Sequence, residues 1–173
     1  MAYKMVLKHH FENKQLKNFL KNMPEATMKV GWNPEQKEEN GMQTAEVAWL
    51  NETGHDIIRD GKVIAHVMPR PFISLAAETY QNHWHQAWRQ LLRGYITGQY
   101  RTFKRIMNIF CKEYVIEDVR RLVTEEKPFA PNYRTNKKTG QRVFLNKTPL
   151  IDWGTMIATL THKIEIKGNY KGR

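Results

Sequence analysis

One cysteine and one serine occur in 173 residues, and each scarcity closes off a class of chemistry. A lone Cys111 cannot form a disulfide within the chain, and nothing here points to an oxidising compartment. It lies at a helix-periodic position beside Phe110 and Tyr114, which reads as a buried structural thiol. Ser74 stands where a helix is predicted to begin, and N-capping accounts for it more simply than nucleophilic attack. There is no Gly-x-Ser-x-Gly, no glycine-rich phosphate loop and no Cys-x-x-Cys. His83-x-His85 resembles a ligand pair, but residues two apart on a helix diverge rather than converge on a metal. His66 reads as a strand-edge residue, and His9-His10 as a solvated pair near a terminus. Glu38-Glu39 and Glu125-Glu126 are adjacent acids in polar surroundings, the pattern of solvated charge. No cofactor and no metal are expected, and an enzyme is disfavoured.

Long apolar runs are also missing. No stretch approaches the ~18–20 residues needed to span a bilayer, and Met1–His10 has no apolar core of a signal peptide. The expectation is a soluble, cytosol-made protein with no membrane partner. Hydrophobic residues at 40% and aromatics at 11% suffice for a single domain, 1–173, that folds without covalent staples. Acids are scarce relative to bases, and the net charge is +11. The excess gathers after residue 88, in Arg89, Arg93, Arg101, Lys104, Arg105, Arg120, Arg121, Lys137, Lys138 and Arg142. Such a field favours nucleic acid, an anionic surface or an acidic protein neighbour, and says nothing about fold.

The periodicities divide the chain. Residues 1–26 form an N-terminal helical arm, with Phe11, Leu16, Phe19, Leu20 and Met23 on a loose stripe that Pro24 ends. Residues 27–73 hold strands and turns. Met28, Val30 and Trp32 alternate as one strand face, Pro34–Gly41 is a charged loop, and Thr44–Leu50 suits a short helix. Ile57-Ile58 and Val63–Val67 flank Asp60-Gly61, a strong hairpin signal because a type I′ turn needs positive φ at both central positions. Residues 74–125 are the helical scaffold, following a start at Phe72. One face carries Leu75, Ala76, Tyr80, Trp84, Ala87, Trp88, Leu91 and Leu92, and Gly94 and Gly98 mark a break or kink. A second helix, from about Tyr100 to Val123, carries Phe103, Ile106, Met107, Phe110, Cys111, Tyr114, Val115, Val119 and Leu122 at three- and four-residue spacing. Arg101, Lys104 and Arg105 interleave with Tyr100 and Phe103, but Phe103 shares the apolar stripe. That is amphipathicity rather than a base-stacking platform, and it is compatible with phosphate contact alone.

Residues 128–147 form a basic, aperiodic loop that either awaits a partner or carries a small hairpin through Gln141–Leu145. Residues 148–167 hold an aspartate turn and a C-terminal strand. Pro149 stops a preceding helix, Asp152 is placed to accept backbone N–H bonds, and Gly154 lets the chain bend. Leu160, His162, Ile164 and Ile166 then alternate with Thr161, Lys163 and Glu165 as a half-buried strand. The fold class is therefore α+β, a small, mostly antiparallel sheet packed against two long amphipathic helices, with an elaborating β-hairpin.

Three short motifs occur in order: Asn51-Glu52-Thr53-Gly54, Pro69-Arg70-Pro71-Phe72 and Pro149-Leu150-Ile151-Asp152-Trp153-Gly154. In that order the chain, over roughly residues 28 to 166, resembles the neck and tail-completion (head–tail connector) proteins of long-tailed bacteriophages. Trp153 stands where that family usually carries Thr. The resemblance implies a structural virion protein that forms a homo-oligomeric ring at the phage neck or tail end. Such a protein completes the tail or joins it to the head connector, is made in the bacterial host cytoplasm, and needs no cofactor. Its implied partners are the connector, the tail terminator or the tail tube. Asn51, Glu52, Gly54, Pro69, Arg70, Pro71, Phe72, Pro149, Leu150, Asp152 and Gly154 carry the motif, and Phe72 is expected to pack on the second helix. Lys137, Lys138, Arg142, Lys147, Asp60 and Gly61 are the candidate interface. Two other classes compete. A basic nucleic-acid-binding protein would show steep salt dependence, and a small hydrolase would lose turnover on changing one His or acid.

Overall fold

The computed structural model describes residues 21, 23–126, 132–135, 142–146 and 155–167. It is a mixed helix-and-sheet protein with small antiparallel sheets. In place of one sheet there are, among the described residues, three separate two-stranded ribbons. β1 (Glu25–Gly31) pairs with β6 (Thr161–Lys167), β2 (His55–Arg59) with β3 (Lys62–Val67), and β4 (Asn132–Thr135) with β5 (Arg142–Asn146). Sequence alternation marks strands but carries no pairing information beyond the hairpin turn, which is why one sheet was expected. Glu25 and Ala26, assigned above to the N-terminal arm, already belong to β1. The rest of that arm lies outside the described residues, apart from a few positions at its end.

β1 and β6 join the two ends of the described chain in antiparallel register, Met28 opposite Ile164 and Val30 opposite His162. One face of this ribbon lies on the helices, where Met28 and Ile164 pack, partly buried, against the apolar cluster that contains Trp88, Met107 and Phe110. The other carries alternating charges, with Lys29 Nζ 2.9 Å and Lys163 Nζ 3.1 Å from the Glu165 carboxylate. These two lysines hold the Glu165 carboxyl below its ordinary pKa, chiefly through the hydrogen bond from Lys29.

The helices are α1 (Thr44–Thr53), α2 (Phe72–Ile96), a continuous helix α3 over residues 103–126, and the short α4 (Thr155–Ala158). Within α3, Phe110–Ile116 and Leu122–Glu126 widen to i→i+5 hydrogen bonding. α3 starts at Thr102, whose side-chain oxygen accepts from the Arg105 N–H at 3.2 Å. α2 and α3 form a helical hairpin whose turn contains Gly98 at φ +84°. Gly94 is not a break in α2. It is buried inside the helix, and a Cβ there would lie 2.6 Å from the Tyr100 ring. The glycine is a seat for the aromatic residue that leads into α3.

Two apolar clusters make the core, and Tyr80 packs against both. The first joins Phe72, Ala76, Ile116, Val119, Leu122, Val123, Met156, Ile157 and Leu160 with Ala48 of α1. The second joins Trp84, Ala87, Trp88, Leu91 and Leu92 of α2 to Phe103, Ile106, Met107 and Phe110 of α3. Trp88 meets the Phe110 ring edge-on at 5.2 Å and the Phe103 ring at 6.0 Å. Burial of each large side chain contributes on the order of 1.5–3 kcal/mol, so the α2–α3 hairpin dominates the stability. Cys111 is buried within it, and desolvation pushes its thiol up to about 12.

Candidate docking surface

Pro71 ends an extended Pro69–Pro71 segment and leads into α2 at φ −76°, but it offers no side-chain acceptor to the first turn. The orphan N–H groups there are satisfied from a distance. Glu52, at the end of α1, turns its carboxylate onto the start of α2. Its two oxygens accept from Ile73 N–H at 2.9 Å, Ser74 N–H at 2.9 Å and Ser74 Oγ–H at 2.5 Å. Ser74 is therefore a donor inside the first turn, not the N-cap expected from sequence. The cap is Glu52, and its negative charge sits at the positive end of the helix dipole.

The same junction is tied twice more. Arg70 N–H donates to the Asn51 carbonyl at 2.6 Å. Gly54 adopts φ +72° with the Val67 carbonyl and Pro69 pressed against it; an added Cβ would lie 2.7 Å from Val67 O and 2.9 Å from Pro69 N and Cδ. Asn51, Glu52 and Gly54 thus meet Pro69, Arg70, Pro71 and Phe72 in one lock. Phe72 is completely buried in the first cluster, edge-on to Trp32 at 6.3 Å. Trp32 in turn donates its Nε1–H to the Met156 carbonyl of α4 at 2.6 Å. Two sequence motifs that looked like separate turns form a single structural knot.

The chain between Gly54 and Pro69 leaves this knot as the β2–β3 hairpin. Asp60 at φ 50° and Gly61 at φ 73° make its turn, as the Asp-Gly pair predicts. Asp56 and His66 face each other across it, with His66 Nδ1 2.6 Å from Asp56 Oδ1. The register slips between Ile57 and Ile58. The ribbon's apolar residues are uncovered: Ile57 43%, Ile58 65%, Val63 59% and Ile64 56% exposed, with Met68 at 68% just beyond. Among the described residues neither outer edge of this ribbon is paired. An isolated two-stranded ribbon is marginal in water. Uncovered apolar side chains together with free edge N–H and C=O groups are the features by which an edge strand can pair with another chain.

One acid and one histidine of the long helices are joined in a network across them. Asp118 is buried on the stripe of α3, 2.8 Å from Trp84 Nε1, 2.8 Å from His83 Nδ1 and 3.1 Å from an Arg121 guanidinium nitrogen. Its carboxylate accepts from three donors and pins α2 to α3. Sequence reasoning passed over Asp118, although its place between Val115 and Leu122 on the apolar stripe was the available signal. Trp84 and Trp88, on the apolar face read from the sequence, are core residues. His83 is engaged with Asp118, and among the described residues no group of acids, histidines and cysteine could hold a metal ion.

The basic residues divide. Arg120 donates from Nε to the Ile157 carbonyl at 3.3 Å and from a terminal nitrogen to the Ala158 carbonyl at 3.1 Å, closing the end of α4. Arg120 and Arg121 are thus partly structural. Arg142 opens β5, which pairs with β4 as a small ribbon in the basic segment. Lys137, Lys138, Lys147, Pro149, Leu150, Asp152 and Gly154 lie outside the described residues. No helix among the described residues is long and apolar enough to cross a membrane. Comparison with protein-family models, with characterised proteins and with solved structures finds no match.

Proposed function

We propose that the chain is a structural, non-enzymatic virion protein of the neck or tail end of a long-tailed bacteriophage. It completes the tail or joins it to the head connector as one subunit of a homo-oligomeric ring. One observation carries this reading. The residues on which the resemblance to the tail-completion proteins rests, Asn51, Glu52 and Gly54 with Pro69–Phe72, are those that clamp the base of an exposed apolar hairpin. Such a clamp is what an arm needs if it is to carry load between subunits. On this reading the two long helices are the scaffold on which the antiparallel ribbons are mounted. The β2–β3 arm and the basic segment with Lys137, Lys138, Arg142 and Lys147 meet neighbouring connector, terminator or tube subunits. The protein is made in the host cytoplasm, ends in the virion, and requires no cofactor.

The test is complementation of a phage lacking the gene with an Ile58→Ser/Ile64→Ser double variant. Both side chains are exposed, so folding should change by no more than about 0.5 kcal/mol per site. The expected result is a soluble, folded protein that fails to join heads to tails, with both accumulating separately under the electron microscope. Normal yields of joined particles would remove the arm from the mechanism.

A further inference from the structure

Between Glu78 and Glu113 the chain contains no acidic residue, yet it carries Arg89, Arg93, Arg101, Lys104, Arg105 and Lys112. The fold gathers five of these at one end of the α2–α3 hairpin. Arg89 and Arg93 lie one turn apart in the last turns of α2, Arg101 lies in the connection, and Lys104 and Arg105 lie in the first turn of α3. All five side chains are exposed, and none forms an ion pair among the described residues. By contrast, Lys29, Lys163, Lys167, Arg120 and Arg121 have carboxylate partners, and the other unpaired cations of the described surface, such as Lys37, Arg59 and Lys62, are not gathered five to one end of a helical hairpin.

The placement costs stability. Cations in the first turn of a helix oppose its dipole, and α3 has no acid there to offset them. What surrounds the five is neutral and hydrogen-bonding: Gln86, Gln90, Thr97, Gln99 and Thr102 are exposed. Among the described residues, the only large apolar side chain left exposed at this end is Ile96. A protein interface would want an aromatic or aliphatic anchor and charges of both signs. Phe103 is buried in the second cluster and Tyr95 and Tyr100 pack against it partly buried, so among the described residues no fully exposed ring at this end offers itself to an unpaired base. Cations and amides without anchors or stacking rings match a regular polyanion held by its phosphates.

We propose that this end of the α2–α3 hairpin is a sequence-independent contact for the phosphate backbone of double-stranded DNA. Its grip is purely electrostatic. If all five cations engage, the slope of log K against log salt approaches about −4.5, by the usual 0.9 per phosphate neutralised, and affinity is in the micromolar range or weaker at physiological salt.

Fluorescence anisotropy of a labelled duplex, titrated with the full chain at several salt concentrations, measures that slope. Arg101→Gln/Lys104→Gln/Arg105→Gln should flatten it by about three and leave the melting midpoint unchanged or raised, because two cations leave a helix N-terminus. Lys137→Gln/Lys138→Gln/Arg142→Gln, in the basic segment, should change the slope by less. An equal or larger loss from this second variant would move the DNA contact to that segment and overturn the proposal. Poly-glutamate competing as well as duplex at equal charge would overturn it in favour of an acidic protein partner. Tighter binding to single strands than to duplex would overturn the phosphate-only geometry.

Discussion

Removing the Glu52 carboxylate should cost more than any ordinary helix cap. Glu52→Ala strips three hydrogen bonds at once, from Ile73 N–H, Ser74 N–H and Ser74 Oγ–H. A side-chain N-cap contributes about 0.5–2 kcal/mol, and a hydrogen bond to a charged group about 1.5–3. The junction is half-buried, so water recovers part of the loss, and the net expected is about 2–4 kcal/mol. For a domain of this size that lowers the melting midpoint by roughly 5–15 °C. Ser74→Ala removes one of the three bonds and should cost about 1 kcal/mol. Glu52→Gln keeps one acceptor but turns an amide N–H₂ toward a backbone donor, so it should fall between the two. Urea unfolding followed by far-ultraviolet circular dichroism reads all three through the midpoint, with unchanged slope. The double variant should cost less than the two singles added, since Ser74 has lost its acceptor once Glu52 is gone. A Glu52→Ala midpoint equal to wild type would refute the lock. So would a Ser74→Ala loss as large as that of Glu52→Ala.

Phe72→Ala should cost about 3–5 kcal/mol, the usual scale for a fully buried aromatic, and an unchanged urea midpoint would place Phe72 outside the core. Gly54→Ala should cost about 2–4 kcal/mol, combining a positive φ with a Cβ pressed against the Val67 carbonyl; a neutral effect in the same urea assay would mean the hairpin base moves freely. His162 lies on the helix-facing side of β6, 2.8 Å from Asn108 Oδ1, and burial followed by the nearby Lys112 charge lowers its pKa. The folded state then favours neutral imidazole, so stability present above the ordinary value of 6.5 is lost as pH falls below it. His162→Gln should flatten that acid-side slope of the melting midpoint, and an identical slope in both proteins would refute the assignment.

Much of the architecture was legible in side-chain period. The alternation from Leu160 to Ile166 became β6, the stripe from Phe103 to Leu122 became the buried face of α3, and Asp60-Gly61 became the turn of β2–β3. These are local signals that burial reinforces. What sequence hid were relations between distant residues. Nothing local says that β1 pairs with β6, or that Glu52 reaches Ile73 and Ser74. Pro71 held the clue, because a helix starting after proline without a local capping side chain must find its acceptor elsewhere. Gly94 misled for a related reason, since close packing by Tyr100 looks the same in sequence as a helix break. The exposed arm was half legible. Its turn was evident and the hairpin read as an elaboration, but nothing local in the β-branched runs says that they stay uncovered.

The most direct test of the assembly account is mass spectrometry of phage particles purified from cells that carry this gene, with heads, tails and joined particles separated beforehand. The account predicts several copies of the chain per particle, in joined particles and in the tail or connector fraction. Abundant chain in the lysate with none in any particle fraction would contradict it.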